Sequence, residues 1–237
     1  MSTIATNIAK VGTRIREAAQ AAERDPDEVL LLAVSKTQPA EAIREASEAG
    51  LHDFGENYLQ EALEKQAELA DLPLVWHFIG PIQSNKTKLI AEHFDWVHSV
   101  DRLKIAQRLS NLRPDHLAPL NLCLQVNVSG EASKSGCEPQ EVHELAQAIA
   151  ALPRLRLRGL MAIPEPTGDP AEQRAAFARL RQLQTELPLD LDTLSMGMSQ
   201  DLEAAIAEGA TWVRIGTALF GARAYPSQVA ADAPPHD

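Results

Sequence analysis

The feature that most constrains this chain is a rhythm. Short apolar runs of strand character alternate with amphipathic helical patterns from one end to the other. The first run, Val29–Ser35 (VLLLAVS), is rich in branched aliphatics without polar alternation, which reads as a strand buried on both faces. Pro39 opens the helical pattern behind it and Gly50 closes it, the expected punctuation for a helix. The unit returns at residues 52–57, 74–80, 96–100, 120–128, 156–163, 193–197 and 212–221. Strands that alternate with helices in this way lie parallel, each helix carrying the chain back over the sheet. Eight such units in about 220 residues predict a closed barrel. An open doubly wound sheet would have fewer strands, and no G-x-G-x-x-G follows the first one. The segment MSTIATNIAKVGTRIREAAQ adds a helix in front. The expected fold is therefore α/β: a single (β/α)8 TIM barrel with an extra N-terminal helix. It spans residues 1–225, and the Pro/Ala-rich stretch 226–237 forms a flexible tail.

Charge narrows the partners. The 237 residues carry 22 Lys+Arg against 33 Asp+Glu, a net charge of −11, with the basic residues scattered among acids. A duplex-binding surface needs clustered cations to displace counterions, so nucleic acid is not expected. No apolar run approaches the ~20 residues that span a bilayer, so no membrane partner is expected. The N-terminal amphipathic pattern lacks the unbroken apolar core of a secretory signal. Cys123 in an apolar strand and Cys137 in a polar loop make no disulfide framework, which points to the cytoplasm. The seven histidines (52, 77, 93, 98, 116, 143 and 236) show no metal-binding spacing such as H-E-x-x-H.

In a barrel of this kind the reactive face is built from the C-terminal ends of the strands. Lys36 directly follows the first strand. An amine at the mouth of an apolar strand meets low dielectric, which favours its neutral, nucleophilic form; the plainer alternative is a lysine that reaches out to solvent. The last two strand–helix loops hold SMGMSQD, with Gly197 and Ser199, and RIGTALFG, with Gly216 and Thr217. Glycines let backbone N–H groups approach an anion and hydroxyls add donors, and these two loops form the recurrent phosphate cup of such barrels. Arg214 lies two residues before Gly216, on the same face of the strand. It serves either an ion pair inside the barrel or a ligand heteroatom beside the phosphate. An amine, a guanidinium and a phosphate cup at one mouth suit an aldehyde that carries a phosphate, and pyridoxal phosphate has both groups.

The segments LLAVSKTQPAEAI, HDFGENYLQEALEK, WHFIGPIQSNK and LSMGMSQDLEAAIAEGATWVRIGTALFGAR together resemble the pyridoxal phosphate homeostasis proteins, the YggS/PROSC group. That group is similar in fold to the N-terminal barrel of alanine racemase. The resemblance implies that Lys36 holds the cofactor as a Schiff base and that Ser199, Gly216 and Thr217 hold its phosphate. It implies Arg214 facing the pyridine nitrogen, Asn57 near the ring and His77 at the rim, where His77 could equally be a core histidine. A permanent cation at the ring nitrogen makes the ring a poor electron sink, which argues against efficient transamination; racemases with the same arginine still work, but need acid/base groups on both substrate faces. The added C-terminal domain through which a racemase's partner subunit completes its acid/base pair is not expected here, so a monomer with an open site is. The implied function is to hold pyridoxal phosphate and buffer or deliver it to apo-enzymes that depend on it. An amino acid racemase and a cofactor-free Schiff-base aldolase are the competing readings. Lys134, in the long polar loop after the fifth strand, could guide a phosphate or capture an aldehyde, though a solvated loop lysine is the plainer reading.

Overall fold

The computed structural model describes residues 2–130 and 135–221. Lys134 and residues 222–237, the tail among them, lie outside the described residues. In chain order the elements are α1 (Thr3–Ala21), β1 (Leu30–Val34), α2 (Ala40–Glu48), β2 (Asp53–Glu56), α3 (Leu59–Glu68), β3 (Val75–Phe78), α4 (Thr87–His93), β4 (Trp96–Val100) and α5 (Leu103–Leu112). They continue with β5 (Leu120–Gln125), α6 (Val142–Ala150), β6 (Leu155–Met161), α7 (Pro170–Thr185), β7 (Thr193–Ser195), α8 (Leu202–Ala207), β8 (Trp212–Ile215) and α9 (Thr217–Phe220). The eight strands close into one parallel barrel in sequence order, and β8 pairs back onto β1 with Arg214 opposite Leu32. The expected (β/α)8 barrel with a leading helix is what forms. The strands stop short of several runs (β5 at Gln125, β6 at Met161, β7 at Ser195), most of all at the last. The last strand stops at Ile215, because Gly216 leaves the extended region (φ −118°, ψ −77°) and Thr217–Phe220 turn as a short helix.

Outward-facing strand residues and the helices share one apolar core. Phe54, Val97, Leu122, Leu160 and Val213 meet Ile43, Ile90, Ile105, Phe177 and Ile206 in a single cluster. Helix α7 follows its sequence pattern: Phe177 and Leu180 are fully buried, with Ala176 and Leu183 packed beside them. Helix α1 begins with Ser2 capping the Ala5 N–H and packs on α2, α8 and α9. Its end is pinned by Arg24, which donates to the carbonyls of Ile206 and Ala210 at 2.8 and 2.9 Å.

Side chains two residues apart on a strand share a face. Gly55 faces inward, because a Cβ there would meet the Leu32 and Ile79 side chains at 3.2 and 3.1 Å. The same parity turns His77 of β3, His98 of β4, Ser195 of β7 and Arg214 of β8 into the barrel. Aromatic rings fill its lower part: His77 stacks on Trp96 (5.5 Å between centroids) and meets Trp212 edge-on at 5.0 Å. Arg158 lies over Trp96 at 4.8 Å and pairs with Asp192 at 2.7 Å. The interior is thus a packed core at one end and open only at the other.

Candidate cofactor-binding site

At the C-terminal ends of the strands the barrel opens into a cavity of about 290 Å³. This is near the lower end for small-molecule sites, which begin at about 300 Å³. Lys36, Asn57, Ser199, Arg214, Gly216 and Thr217 all line it. Sequence position separates these residues widely, and closure of β8 onto β1 brings Arg214 and Gly216 beside Val34 and Lys36. Gly216 has a packing reason to lack a side chain, since a Cβ there would sit 3.2 Å from the Val34 carbonyl oxygen. Gly197 has two reasons: its φ is +95°, and a Cβ would meet that of Ala205 at 2.5 Å.

His77 is not at the rim. It is fully buried in the barrel interior, one inward position below Ile79, which does line the cavity. Its Nε2 lies 2.9 Å from Asp53 Oδ1 and its Nδ1 lies 2.9 Å from His98 Nε2. It is a hydrogen-bonded core histidine, and burial lowers its pKa below the usual imidazole value despite Asp53.

Arg214 is 4% exposed. Its Nη1 donates to Ser195 Oγ at 2.8 Å and its Nη2 to the Ala162 carbonyl at 2.9 Å. Burial pulls its pKa down to about 10, opposed by the field of Asp201, so the guanidinium remains charged at neutral pH. Asp201 also lines the cavity. Its carboxyl is raised by burial, and Oδ1 accepts the Met198 N–H at 2.6 Å, which folds the SMGMSQD turn.

Lys36 is carried on a braced turn. Residues on both sides of it are tied to a buried charge cluster: Ser35 Oγ donates to Glu56 Oε1 at 2.6 Å, and the Thr37 N–H donates to Glu61 Oε1 at 2.6 Å. Lys65 Nζ donates to the Ser35 carbonyl and to Glu56 Oε1, each at 2.8 Å, and to Glu61 Oε1. Glu56 is fully buried and Lys65 is 6% exposed. Desolvation raises the Glu56 carboxyl above its ordinary value, with Lys65 opposing. The brace holds Thr37 at φ +64°, a left-handed conformation that a β-branched residue adopts only when its surroundings enforce it.

Sequence reasoning did not single out Glu56, Lys65, His98, Ser195 or Asp201. Strand parity with Arg214 would have turned His98 and Ser195 inward. The Glu61–Lys65 spacing signals a helix-surface pair, and nothing in it marks this pair as reaching under Lys36. The two cysteines are free and buried, and burial pushes both thiols up to about 12. Cys137 was expected in a polar loop. It does lie in the connection after β5, but buried, where backbone bonds to Gln125 and Asn127, both 2.9 Å, hold it against the C-terminal end of that strand. Among the described residues no cluster of His, Cys, Asp and Glu is arranged to hold a metal ion, and no helix is long and apolar enough to cross a membrane.

The residues fit a flat, phosphorylated aromatic group. Asn57 Oδ1 is buried at this cavity without a protein hydrogen-bond partner, as expected for an atom that awaits a ligand. A charged guanidinium stands at one side, an amine at another, and Ser199, Gly216 and Thr217 offer donors for an anion.

A family model described as the alanine racemase N-terminal domain matches residues 6–224. The pyridoxal phosphate homeostasis protein of Pseudomonas aeruginosa is 78% identical over 225 residues, which cover 95% of this chain and 98% of that protein. This chain belongs to the pyridoxal phosphate homeostasis family. The Escherichia coli member is 55% identical over 232 residues, 95% of this chain and 99% of its own. Among solved structures, the family member PipY of Synechococcus elongatus, with pyridoxal phosphate bound, superposes with a TM-score of 0.77 at 45% identity, over 87% of this chain and all of that one. Alanine racemase of Corynebacterium glutamicum shares the fold alone, at 19% identity and a TM-score of 0.66, over 92% of this chain and 61% of that enzyme.

Proposed function

We propose that this chain binds pyridoxal 5'-phosphate at the barrel mouth, holds it as a Schiff base on Lys36, and buffers or delivers it to apo-enzymes with little or no turnover of its own. One observation carries the reading: Lys36, Arg214 and the Ser199/Gly216/Thr217 loops line a single cavity, in a family whose member PipY is solved with that cofactor. The aldehyde of the cofactor supplies the electrophilic carbon that an amine captures. The chain's own residues do the rest. Ser199, Gly216 and Thr217 would take the phosphate, Asn57 Oδ1 would gain a partner, and the Arg214 guanidinium would face the ring nitrogen.

Holding is favoured over turnover by the inventory of the cavity. Its ionisable lining among the described residues is Lys36, Asp201 and Arg214. Asp201 is committed to the Met198 N–H, and Arg214 stays a cation beside the ring, which leaves the nitrogen unprotonated and the ring a weak electron sink. A racemase needs an acid and a base on opposite faces of its substrate, and that pair is not supplied by these side chains. Two buried, unpaired thiols suit a reducing cytoplasm.

The test is transfer. Protein loaded with pyridoxal phosphate and passed through a desalting column is mixed with an apo-enzyme, and restored apo-enzyme activity is followed against a control with free cofactor. Loaded wild-type protein restores activity, whereas Lys36→Ala emerges from the column without cofactor. Sustained production of D-alanine or D-serine from the L-form by the loaded protein would overturn the non-catalytic reading.

A further inference from the structure

A continuous hydrogen-bonded chain crosses the barrel interior beneath the cavity. Arg214 Nη1 lies 2.8 Å from Ser195 Oγ, and Ser195 Oγ lies 2.7 Å from His98 Nδ1. His98 Nε2 lies 2.9 Å from His77 Nδ1, and His77 Nε2 lies 2.9 Å from Asp53 Oδ1. Ser195, His77 and His98 are fully buried, while the Asp53 side chain, at the N-terminal end of β2, is 31% exposed. The chain therefore runs from the solvent side of the closed end of the barrel to the guanidinium at the open end.

Its two ends fix its direction. A guanidinium can only donate and a carboxylate can only accept. Arg214 donates to Ser195, whose hydroxyl proton is then free to go to His98 Nδ1. His98 donates from Nε2 to His77 Nδ1, and His77 donates from Nε2 to Asp53. Every group is satisfied with both imidazoles neutral and both protonated at Nε2. The reverse order leaves the bare His77 Nε2 facing the Asp53 carboxylate, two acceptors at 2.9 Å. Burial lowers the pKa of both rings, and His98 is lowered further by His77 and Arg214. Asp53 and Asp95 act on His77 in the opposite sense.

We propose that Asp53, His77, His98 and Ser195 form a one-way hydrogen-bond relay that orients and polarises Arg214, which makes the two histidines positioning residues for the ring-nitrogen side of the cavity. Ser195 and the Ala162 carbonyl use one N–H from each Nη and so set the plane of the guanidinium. Three of its five donors remain. Each bond in a chain of this kind strengthens its neighbour, so the negative end at Asp53 is felt as a more basic Ser195 oxygen at Arg214. Trp96 and Trp212 pack around the rings and keep the path dry. The relay rests on the proposed function only where Arg214 is said to face a bound cofactor.

Two measurements test it. In histidine-¹⁵N-labelled wild-type protein, long-range ¹⁵N–¹H correlation reads the tautomer of each ring, with and without pyridoxal phosphate. The relay requires His77 and His98 both neutral and protonated at Nε2. An Nδ1–H tautomer or an imidazolium at either position overturns it, whatever the cofactor does. In the second measurement pyridoxal phosphate carries ¹⁵N in its ring. Ser195→Ala moves the ring-nitrogen resonance and weakens retention about tenfold, the scale of one hydrogen bond to a charged group, and Ser195→Thr, which keeps the hydroxyl, restores the resonance. A folded Ser195→Ala protein whose ring-nitrogen resonance matches wild type overturns the relay. Failure of wild-type protein to take up the cofactor overturns the proposed function instead, and the tautomers still decide the relay.

Discussion

Replacing Lys65 by Met is the most informative single change outside the cavity. Lys65 Nζ holds the Ser35 carbonyl, Glu56 and Glu61 at once, and its side chain is 7% exposed. Met keeps the length of the aliphatic stem and removes the charge. An exposed ion pair is worth about 0–1 kcal/mol, but breaking a buried one leaves an uncompensated charge and costs about 3–5 kcal/mol. The buried regime applies here, because Glu56 is fully buried and its Oε2 already lacks a protein hydrogen-bond partner. Against a typical total of about 5–15 kcal/mol, the loss is large. It also carries a pH signature. Without Lys65, only the Ser35 hydroxyl still opposes desolvation, and the Glu56 carboxyl rises further than in the parent. A carboxyl raised in the folded state destabilises above its folded value and ceases to do so as it protonates. The difference between parent and variant is therefore greatest at neutral pH and shrinks toward about pH 4.3. Because Ser35 and Thr37 flank Lys36, cofactor retention falls in parallel. Urea unfolding at several pH values, read by Trp fluorescence, measures the first effect, and desalting of loaded protein the second. A loss below about 1 kcal/mol at neutral pH would refute the brace.

Two further perturbations probe other parts of the same architecture. Gly80→Ala puts a Cβ 2.3 Å from the Asn57 carbonyl oxygen and 2.7 Å from its Cα, so backbone must move. Thermal unfolding shows a loss of about 1–3 kcal/mol together with weaker cofactor retention, and a variant with parental stability and retention contradicts the contact. His98 is held neutral, so the unfolded chain takes up a proton below about pH 6.5 that the native state refuses, and native stability falls as pH falls. His98→Gln makes that fall shallower by up to about 1.4 kcal/mol per pH unit between about pH 6.5 and 5.5, and an unchanged slope in urea titrations rules the assignment out.

The barrel was legible because its signal is periodic and repeated. Eight strand runs coincide with eight strands, since each unit must bury one face of a strand against its own helix. The last run failed past Ile215, where Gly216 released the chain into a helical turn that apolar Ala-Leu-Phe does not announce. Six of the seven candidate residues meet at one cavity: Lys36, Ser199, Arg214, Gly216 and Thr217 because strand ends are predictable places in a barrel, and Asn57 as the family resemblance implies. His77 departs from that pattern for a reason of register: it sits one inward step too low, and a single residue's depth along a strand is set by pairing to its neighbours, which composition does not encode. The supports behind the site were illegible for a related reason. Glu56, Lys65, His98 and Ser195 act through contacts made across the closed sheet, and each alone reads as an ordinary strand or helix residue. Arg214 shows how the two levels join. The sequence left it either an ion pair inside the barrel or a ligand heteroatom, and the structure shows two neutral acceptors, Ser195 Oγ and the Ala162 carbonyl, holding it at the cavity.

The claim on which the functional account rests is that one amine, Lys36, carries the cofactor. Protein incubated with pyridoxal phosphate, reduced with borohydride, digested and mapped by mass spectrometry measures this directly. One stoichiometric pyridoxyl label is expected, on the peptide that contains Lys36, and none in Lys36→Ala. A label of equal yield on another lysine, or a wild-type protein that emerges unlabelled, would contradict it.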